Sequence, residues 1–286
     1  MPHPLQNKSF ILSVALALLA AALFPASVLS EETSTAPALE KPANASNWGF
    51  NLTSYLWLQG LDGSVTSGSH TGSVDANFID IVNKSRRFPL GFMGRFEAHY
   101  DRFALYLDGV YTNLRLKPKL DRISEGIDAE MGIMDYGLMY RIFGATPSEM
   151  PNYQGKKRPN LLEVYAGART IWLGSSVALS GPFGLIQHTP AANSSFTSPV
   201  IGGRLGFDLT PHWFLLADGN VGGFGAQSVE FTGSILGVLG YRTTFFGVPA
   251  SVEAGYKALS YNVDKGGPTA ANVTLNGPFI GLTGYW

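Results

Sequence analysis

Ionisable side chains recur at isolated positions within otherwise apolar stretches. In the stretch 161–172, Glu163 and Arg169 share one parity, whereas Leu162 and Trp172 lie on the other. Because successive side chains of a β-strand point to opposite faces, such a stretch has one apolar face and one charged face. Candidates for the charged face are Arg95, Glu97, Asp108, Asp135, Arg141, Glu163, Arg169, Arg204, Asp208, Asp218, Glu253 and Lys257, together with Glu230 and Arg242 in the stretch 229–243.

Ion pairing is the chemistry that these residue types support. A charged side chain in lipid is costly, and so is a buried charge without a partner. The mixture of basic and acidic residues on one parity therefore predicts an enclosed polar surface crossed by Arg–carboxylate pairs. Two interpretations remain: a structural network that fills the interior, or a selectivity filter or binding pocket.

Catalytic chemistry has weaker support. A nucleophile needs a base and an orienting group nearby. His188 with Ser194 or Ser195 is the loop combination worth naming, but its spacing matches no hydrolase motif. The other histidines beyond the N-terminal stretch lie in a predicted loop or near predicted turns, at His70, His99 and His212. No metal-ligand spacing or nucleotide motif is present, so we expect no enzyme, no metal and no cofactor.

Composition narrows the class of protein. The chain has 286 residues, a formal net charge of −1, 45% hydrophobic residues and only 14% charged residues, against roughly 25% charged residues in soluble domains. The near-zero charge gives no electrostatic reason to expect nucleic acid as a partner. The absence of cysteine excludes disulfides, thiolate metal sites and a lipid anchor on cysteine.

The N-terminal stretch is typical of a signal peptide. Lys8 precedes an apolar run at 10–24, and Val28 and Ser30 suit cleavage before Glu31. The alternative is an uncleaved anchor, but the run is shorter than the roughly 20 residues of a spanning helix. We expect a signal peptide at 1–30, followed by a flexible periplasmic leader at 31–47, which is rich in Ala, Pro, Ser, Thr and Asn.

The remainder, 48–286, repeats strand-length alternation about ten times. We predict strands at 48–59, 93–100, 103–111, 127–143, 161–172, 200–209, 213–221, 229–243, 251–263 and 273–286. Since each stretch has an apolar face and a charged face, the pattern predicts an all-β fold: a closed antiparallel transmembrane β-barrel with lipid outside and a polar lumen. About ten strands are expected, with eight or twelve as alternatives.

The connections differ in length between the two ends. Short turns at Asp101, Thr210 and Phe246 are predicted on the side of both termini. Longer loops are predicted on the other side, at 61–88, 116–126, 180–195 and 264–271, with a short helix at 78–84. Short periplasmic turns and longer outer loops are typical of outer-membrane barrels. Two connections depart from this rule, at 222–228 and 146–160.

Aromatic residues cluster near the predicted strand ends. They are Trp48, Tyr100, Phe103, Tyr140, Phe143, Trp172, Trp213, Tyr241, Phe245, Tyr285 and Trp286. Amphipathic rings favour the headgroup level of a bilayer, so two aromatic girdles are expected. The alternative is the core of a soluble β-protein.

The chain resembles the small outer-membrane β-barrel proteins of Gram-negative bacteria, the group of opacity-type and OmpA- or OmpW-like barrels. The resemblance covers 48–286 and depends on the signal peptide, on the strand rhythm, on EVYAGAR at 163–169, on EAGYK at 253–257 and on the terminal strand 277–286. Chains of this group end in an aromatic residue preceded by alternating apolar residues, which the barrel-assembly machinery recognises.

In the terminal strand, Ile280, Leu282 and Trp286 match this pattern and Gly284 departs from it. The resemblance implies an outer-membrane location. It also implies contacts with outer-membrane lipids and lipopolysaccharide, with periplasmic chaperones and with the barrel-assembly machinery.

The expected role is structural or surface-exposed, with a largely occluded lumen and limited passage of small solutes left open. A porin-like channel predicts single-channel conductance, and a lipid-modifying outer-membrane enzyme predicts turnover that depends on His188. A soluble, exported, lipocalin-like binder predicts recovery without detergent.

Overall fold

The computed structural model describes residues 46–67, 70–76, 93–116, 127–177, 191–264 and 269–286. The predicted signal peptide, nearly all of the predicted leader, the predicted helix at 78–84 and His188 lie outside these residues. Within them, no helix combines the length and the apolar character required to cross a membrane.

The described residues form one antiparallel sheet that closes on itself. Its strands are β1 Trp48–Trp57, β2 Gly60–Ser67, β3 His70–Ala76, β4 Met93–Tyr100, β5 Phe103–Leu116, β6 Ile127–Phe143, β7 Leu161–Val177, β8 Ala191–Asp208, β9 Trp213–Ala226, β10 Val229–Phe245, β11 Val248–Asp264 and β12 Thr269–Tyr285. From β4 to β12 each strand pairs with the next in the chain, and β1 pairs with both β4 and β12.

Closure involves β1 and β2 together. β1 pairs with the C-terminal half of β12, from Asn51 opposite Tyr285 to Trp57 opposite Phe279. β2 continues along the other half of β12, from Gly60 opposite Asn276 onward. The two segments therefore act as one wall strand, and the chain forms a closed, ten-stranded antiparallel β-barrel, which confirms the predicted fold and strand number.

The prediction of a loop at 61–88 is wrong over most of the first half of that range, where the structure has strands. β2 and β3 form a hairpin there, with β3 paired along β2. The stretch is polar and rich in Gly and Ser, so its side chains give no strand signal. The half of β12 that β1 leaves unpaired offers backbone hydrogen-bond partners to β2. Because backbone N–H and C=O groups need such partners, this pairing makes β2 a strand despite its side chains.

Two more predicted loops are shorter than expected. β8 begins at Ala191 rather than at Val200 and runs through Pro199. The ladder between β8 and β9 starts only at Val200, so Pro199 lies where β8 is an edge strand that tolerates proline. At 222–228, β9 and β10 leave only Gln227 and Ser228 as a turn, both with positive φ, as in a type I′ turn.

The two faces of the wall follow the predicted parity. In the consecutive residues 103–106 of β5, exposure alternates. Phe103 and Leu105 are 61% and 60% exposed, whereas Ala104 and Tyr106 are each 4% exposed. The apolar row therefore covers the outside of the barrel, and the opposite row points into the lumen.

We call the end where β1 begins and β12 terminates the near end, and the opposite end the far end. The Asp101 N–H donates to Asn47 O there at 2.9 Å, and the Trp286 N–H donates to Phe50 O at 2.9 Å. The turn at Phe246 and Gly247 has positive φ at both residues. The predicted placement of the short turns beside both termini is confirmed.

The predicted aromatic girdles are populated unequally. Within the predicted set, only Trp172 lies toward the far end, on β7, and most of the others are exposed around the near end. Tyr285 is an exception, because it has lumen parity and its hydroxyl lies 2.7 Å from Ser251 Oγ. Its assignment to a girdle is therefore wrong.

The near-end segment, residues 144–160, is the long connection between β6 and β7. It contains a short 3₁₀-helix, Met150–Tyr153, and buries Ala145, Thr146 and Ser148. A Cβ added at Gly49 of β1 would lie 3.1 Å from Pro147 Cβ, so glycine lets the segment pack directly against the wall.

Candidate functional site in the barrel lumen

Arg204 is the centre of the lumen. Its Nη2 donates to Glu97 Oε1 at 2.8 Å and its Nε donates to Asp218 Oδ2 at 3.1 Å. Its Nη1 lies 3.5 Å from Glu163 Oε2. Arg204 belongs to β8, whereas these acids belong to β4, β9 and β7. β8 and β4 are separated by three strands in the wall, so the bond between Arg204 and Glu97 crosses the lumen.

A second group joins β4 and β5 to β11. Arg95 donates to Glu97 at 2.6 Å and lies 3.7 Å from Asp108. The Lys257 ammonium lies 3.5 Å from the same Asp108. Asp108 also accepts a 2.6 Å hydrogen bond from the hydroxyl of Tyr55 on β1. One carboxylate thus joins four strands of the wall.

Arg169 forms the most complete pair. Its Nε and Nη2 donate to the two oxygens of Asp135 at 2.7 and 2.6 Å, a bidentate arrangement. The Cα positions of the two residues are direct partners in the β6–β7 ladder. Arg169 also donates to Thr232 Oγ1 at 2.8 Å and to Asn220 Oδ1 at 3.0 Å, so every side of this buried guanidinium has an acceptor.

Toward the near end, two further pairs follow. Arg242 donates to both oxygens of Asp208 at 2.6 and 2.7 Å. Arg141 lies 2.8 Å from Glu163 and donates to the Ala145 carbonyl of the near-end segment. Each of these arginines therefore keeps its charge compensated inside the barrel.

His99 also lies in the lumen, between the Glu97 and Arg141 side chains, 3.1 and 3.4 Å away. Its buried ring extends the contacts of the Arg204 group toward the near end. Of the predicted acids inside the lumen, Glu253 is the one without a cation at ion-pair distance among the described residues.

Glu230 was predicted on the charged lumen face, and this is wrong. It is exposed and accepts a hydrogen bond from Asn262 Nδ2 at 3.0 Å. The register of β10 shifts between Val229 and Phe231. A β-bulge adds a residue and interrupts the alternation of faces, so strict parity fails at this position.

Toward the far end, apolar side chains line much of the lumen beside the Arg169 contacts. Inward-pointing side chains form one contacting cluster: Tyr55, Trp57, Met93, Val110, Ile133, Ile171, Phe196, Val229, Val238, Leu259, Tyr261, Val263, Val273, Leu275 and Phe279. We call it the apolar layer. Its members and partly buried neighbours such as Leu216 come from all ten wall strands, so the cluster reaches every side of the barrel.

Sequence reasoning missed the apolar layer, since it expected a polar lumen throughout. The signal is present, because both parities become apolar in the far part of several strands. Ile133 precedes Met134, and Ile171 precedes Trp172. The tyrosine donors Tyr55 and Tyr165 were also missed, although both share the parity of the charged residues.

A cavity of about 520 Å³ extends from the near end, along the Arg204 group, as far as Asp108, Lys257 and Phe279. We call it the near-end chamber. The near-end segment forms one wall through Met150 and Arg158, and Glu253, Arg242 and Tyr285 form another. The Arg158 main-chain N–H donates to Asp208 Oδ2 at 2.9 Å, which attaches the segment to β8, the neighbour of β7 in the wall.

No enzyme-like constellation is assembled by the described residues. Ser194 and Ser195 lie in β8, opposite Leu173 and Trp172, while His188 lies outside the described range. His212 is at the near-end turn and His99 is in the lumen, and no group of three or more metal-binding side chains forms among the described residues.

The predicted assembly residues lie on the outer face of β12 and at its end. Ile280, Leu282 and Trp286 are all exposed. Gly284, where the terminal strand departs from the predicted assembly pattern, has a structural reason. An added Cβ would lie 2.6 Å from Trp286 Cη2, so the terminal indole occupies the space of the missing side chain.

No family model matches the chain, and no curated protein sequence is significantly similar to it. Three solved structures are similar over most of their length. Ail, the attachment invasion locus protein of Yersinia pestis, crystallised with the heparin analogue sucrose octasulfate, is 10% identical, with a TM-score of 0.36, covering 84% of this chain and 98% of Ail.

Neisserial surface protein A is 14% identical, with a TM-score of 0.30 and coverage of 84% and 97%. The outer membrane protease OmpT from Escherichia coli is 9% identical, with a TM-score of 0.41 and coverage of 83% and 97%. These identities and TM-scores give no ground for transferring an activity to this chain.

Proposed function

We propose that this chain spans the outer membrane as a β-barrel with a lumen closed to solutes, and that its role is structural or surface-exposed rather than catalytic. The contact between Arg204 and Glu97 carries the proposal, because it joins two distant strands across the lumen at 2.8 Å. A wide aqueous pore is incompatible with this ion pair.

Membrane insertion is supported by the outer face. Apolar side chains are exposed around the wall, among them Leu105, Leu138 and Ile201, at 60%, 61% and 53%. Soluble monomers rarely expose such a continuous apolar surface. The near-end aromatics form adjacent pairs, such as Trp48 with Tyr100 and Phe103 with Tyr140, each 5.0 Å between ring centroids. Such a belt suits the headgroup level of a bilayer.

Closure is supported at two levels. Ion pairs of the Arg204 group cross the middle of the lumen, and the apolar layer adds inward-pointing side chains from every wall strand. Ions avoid an apolar constriction because they would lose their hydration there. A solute that crosses the lumen would have to displace side chains of both groups.

A location in the outer membrane implies several binding partners. The outer face would contact outer-membrane lipids and lipopolysaccharide. Periplasmic chaperones and the barrel-assembly machinery would act before insertion, the latter on the strand that ends at Trp286. These partners are proposals drawn from the apolar face and the family resemblance.

Conductance tests the closed lumen. Refolded full-length chain in a planar bilayer should give no single-channel steps above an empty bilayer. Reproducible steps that change in Arg95→Ala, Arg169→Ala or Arg204→Ala, but not in the exposed control Lys157→Ala, would establish a porin-like channel and overturn the proposal.

Two further measurements distinguish a membrane-bound, non-catalytic barrel from a soluble binder and from an enzyme. Washed cell envelopes should retain the chain until detergent is added, and release of a folded monomer into buffer would identify a soluble binder. Turnover of lipid or peptide substrates should be absent. Turnover that is abolished by His188→Ala would identify an enzyme instead.

A further inference from the structure

The near-end chamber contains a cation without a partner. Arg158 is half-buried and lines the chamber. Among the described residues, no acceptor contacts its guanidinium, because the neighbouring Asp208 already binds Arg242 through both oxygens. Burial, followed by the positive charge of Arg242, lowers the pKa of Arg158. An anion in the chamber would relieve this local excess of positive charge.

The chamber also contains an anion without a cation. Glu253 Oε1 accepts hydrogen bonds from Ser251 Oγ at 2.7 Å and from Thr283 Oγ1 at 2.8 Å. Its Oε2 accepts no hydrogen bond from the described residues. The carboxylate is thus held in position by two hydroxyls, while one oxygen stays available.

The two groups share one chamber but do not neutralise each other. No nitrogen of Arg158 comes within the 4.0 Å ion-pair limit of a Glu253 oxygen. Tyr285 lines the chamber with both, and its hydroxyl lies 2.7 Å from the Ser251 hydroxyl that holds Glu253. A simple anion would meet the negative charge of Glu253, and a simple cation would meet the positive charge of Arg158. A ligand with both charges avoids either repulsion.

The remaining wall suits a small organic molecule. Pro147, Met150 and Phe214 contribute apolar surface. The volume of about 520 Å³ lies in the range of small-molecule sites. Gln154 and Trp286 are exposed and also line the chamber, so it reaches solvent at the near end. The Arg204 group lines the chamber farther inside the barrel.

We propose that the near-end chamber binds a small zwitterion of dipeptide size, with its carboxylate on Arg158 and its ammonium on Glu253. The site goes beyond the proposed function, since binding in the chamber requires no passage through the lumen. It would make the barrel a binding protein on its near, periplasmic side.

Calorimetry on the refolded full-length chain in detergent tests the site with three probes: alanyl-alanine, its C-terminal amide and its N-acetyl form. Each blocked form lacks one charge. We expect alanyl-alanine to bind about 10- to 100-fold more tightly than either blocked form, the range for a lost charge-assisted hydrogen bond. No binding of alanyl-alanine, or equal binding of a blocked form, would overturn the proposal.

Variants assign the two charges. Arg158→Gln should remove the preference for alanyl-alanine over its amide and keep the preference over the acetylated form. Glu253→Gln should do the reverse. Lys157→Gln and Glu230→Gln, at exposed positions outside the chamber, should bind like wild type. A preference that survives in both chamber variants would overturn the assignment. The comparison of probes on the wild-type chain needs no variant to fold.

Discussion

Arg204 and Glu97 form an ion pair of 2.8 Å although they are 107 residues apart in the chain. The pair spans from β8 to β4 inside a closed wall. Both side chains are buried, at 8% and 4% exposure, and Arg204 compensates Glu163 and Asp218 as well. The interior of this barrel is therefore organised around one guanidinium that three acids share.

Arg204→Ala should lower the free energy of unfolding by about 3–5 kcal/mol, because it leaves buried carboxylates without their cation. Urea unfolding of the refolded barrel measures the loss. Lys156→Ala, at an exposed position of the near-end segment, should change the value by less than about 0.5 kcal/mol. Equal effects of the two variants would show that the Arg204 contacts contribute nothing to stability.

Trp57→Ala should lower the free energy of unfolding by about 3–5 kcal/mol, because it leaves a cavity in the apolar layer. Trp57 is 2% exposed, and its indole N–H donates to Lys257 O at 3.1 Å. Trp57→Phe keeps most of the volume and should cost less. The same urea titration compares both variants. Equal losses of unfolding free energy in the two variants would mean that the packing of the indole ring does not contribute to stability.

Leu138→Arg tests the membrane orientation. Leu138 is 61% exposed and lies between Leu105 and Ala166 in the wall. Leu138 lies one outward row deeper in the wall than the Phe103–Tyr140 pair of the near-end belt, so arginine there should cost more unfolding free energy than the roughly 0–1 kcal/mol at an interface and less than the roughly 2–4 kcal/mol at the bilayer midplane. Phe103→Arg, in the near-end belt, provides the matched position. Unfolding in phospholipid vesicles should rank Leu138→Arg as more damaging, and the opposite ranking contradicts the proposed depth.

Gly202→Ala should lower the free energy of unfolding by about 1–3 kcal/mol, the range for overpacking. A Cβ at Gly202 would lie 2.4 Å from Tyr165 Cζ, and the Tyr165 hydroxyl donates to Asp218 at 2.6 Å. Glycine thus makes room for the ring that binds this acid.

Gly109→Ala is the control for that variant, because nothing lies within 4 Å of an added Cβ there. It should leave the unfolding free energy unchanged or raise it slightly, through the lower entropy of the unfolded chain. If both glycine variants behave alike in the urea titration, close packing at Gly202 is not the cause.

The sequence by itself determined the wall of the barrel. Alternation of apolar and polar residues is a local property with period two, so it predicted the strands, their outer face and the residues that point inward. It failed at Glu230, where a bulge shifts the register, and at β2, where glycine and polar residues outnumber Leu61 and Val65. At both places backbone pairing with a neighbouring strand outweighs the side-chain pattern.

Only the tertiary structure decided which inward charges meet. Arg169 and Asp135 are partners in adjacent strands, but Arg204 reaches Glu97 because the wall closes and brings β4 and β8 face to face. The separate positions of Arg158 and Glu253 likewise depend on the near-end segment, which folds over the mouth of the barrel. Such contacts depend on closure and strand stagger, which arise from the whole set of ladders and have no counterpart in any local stretch of sequence.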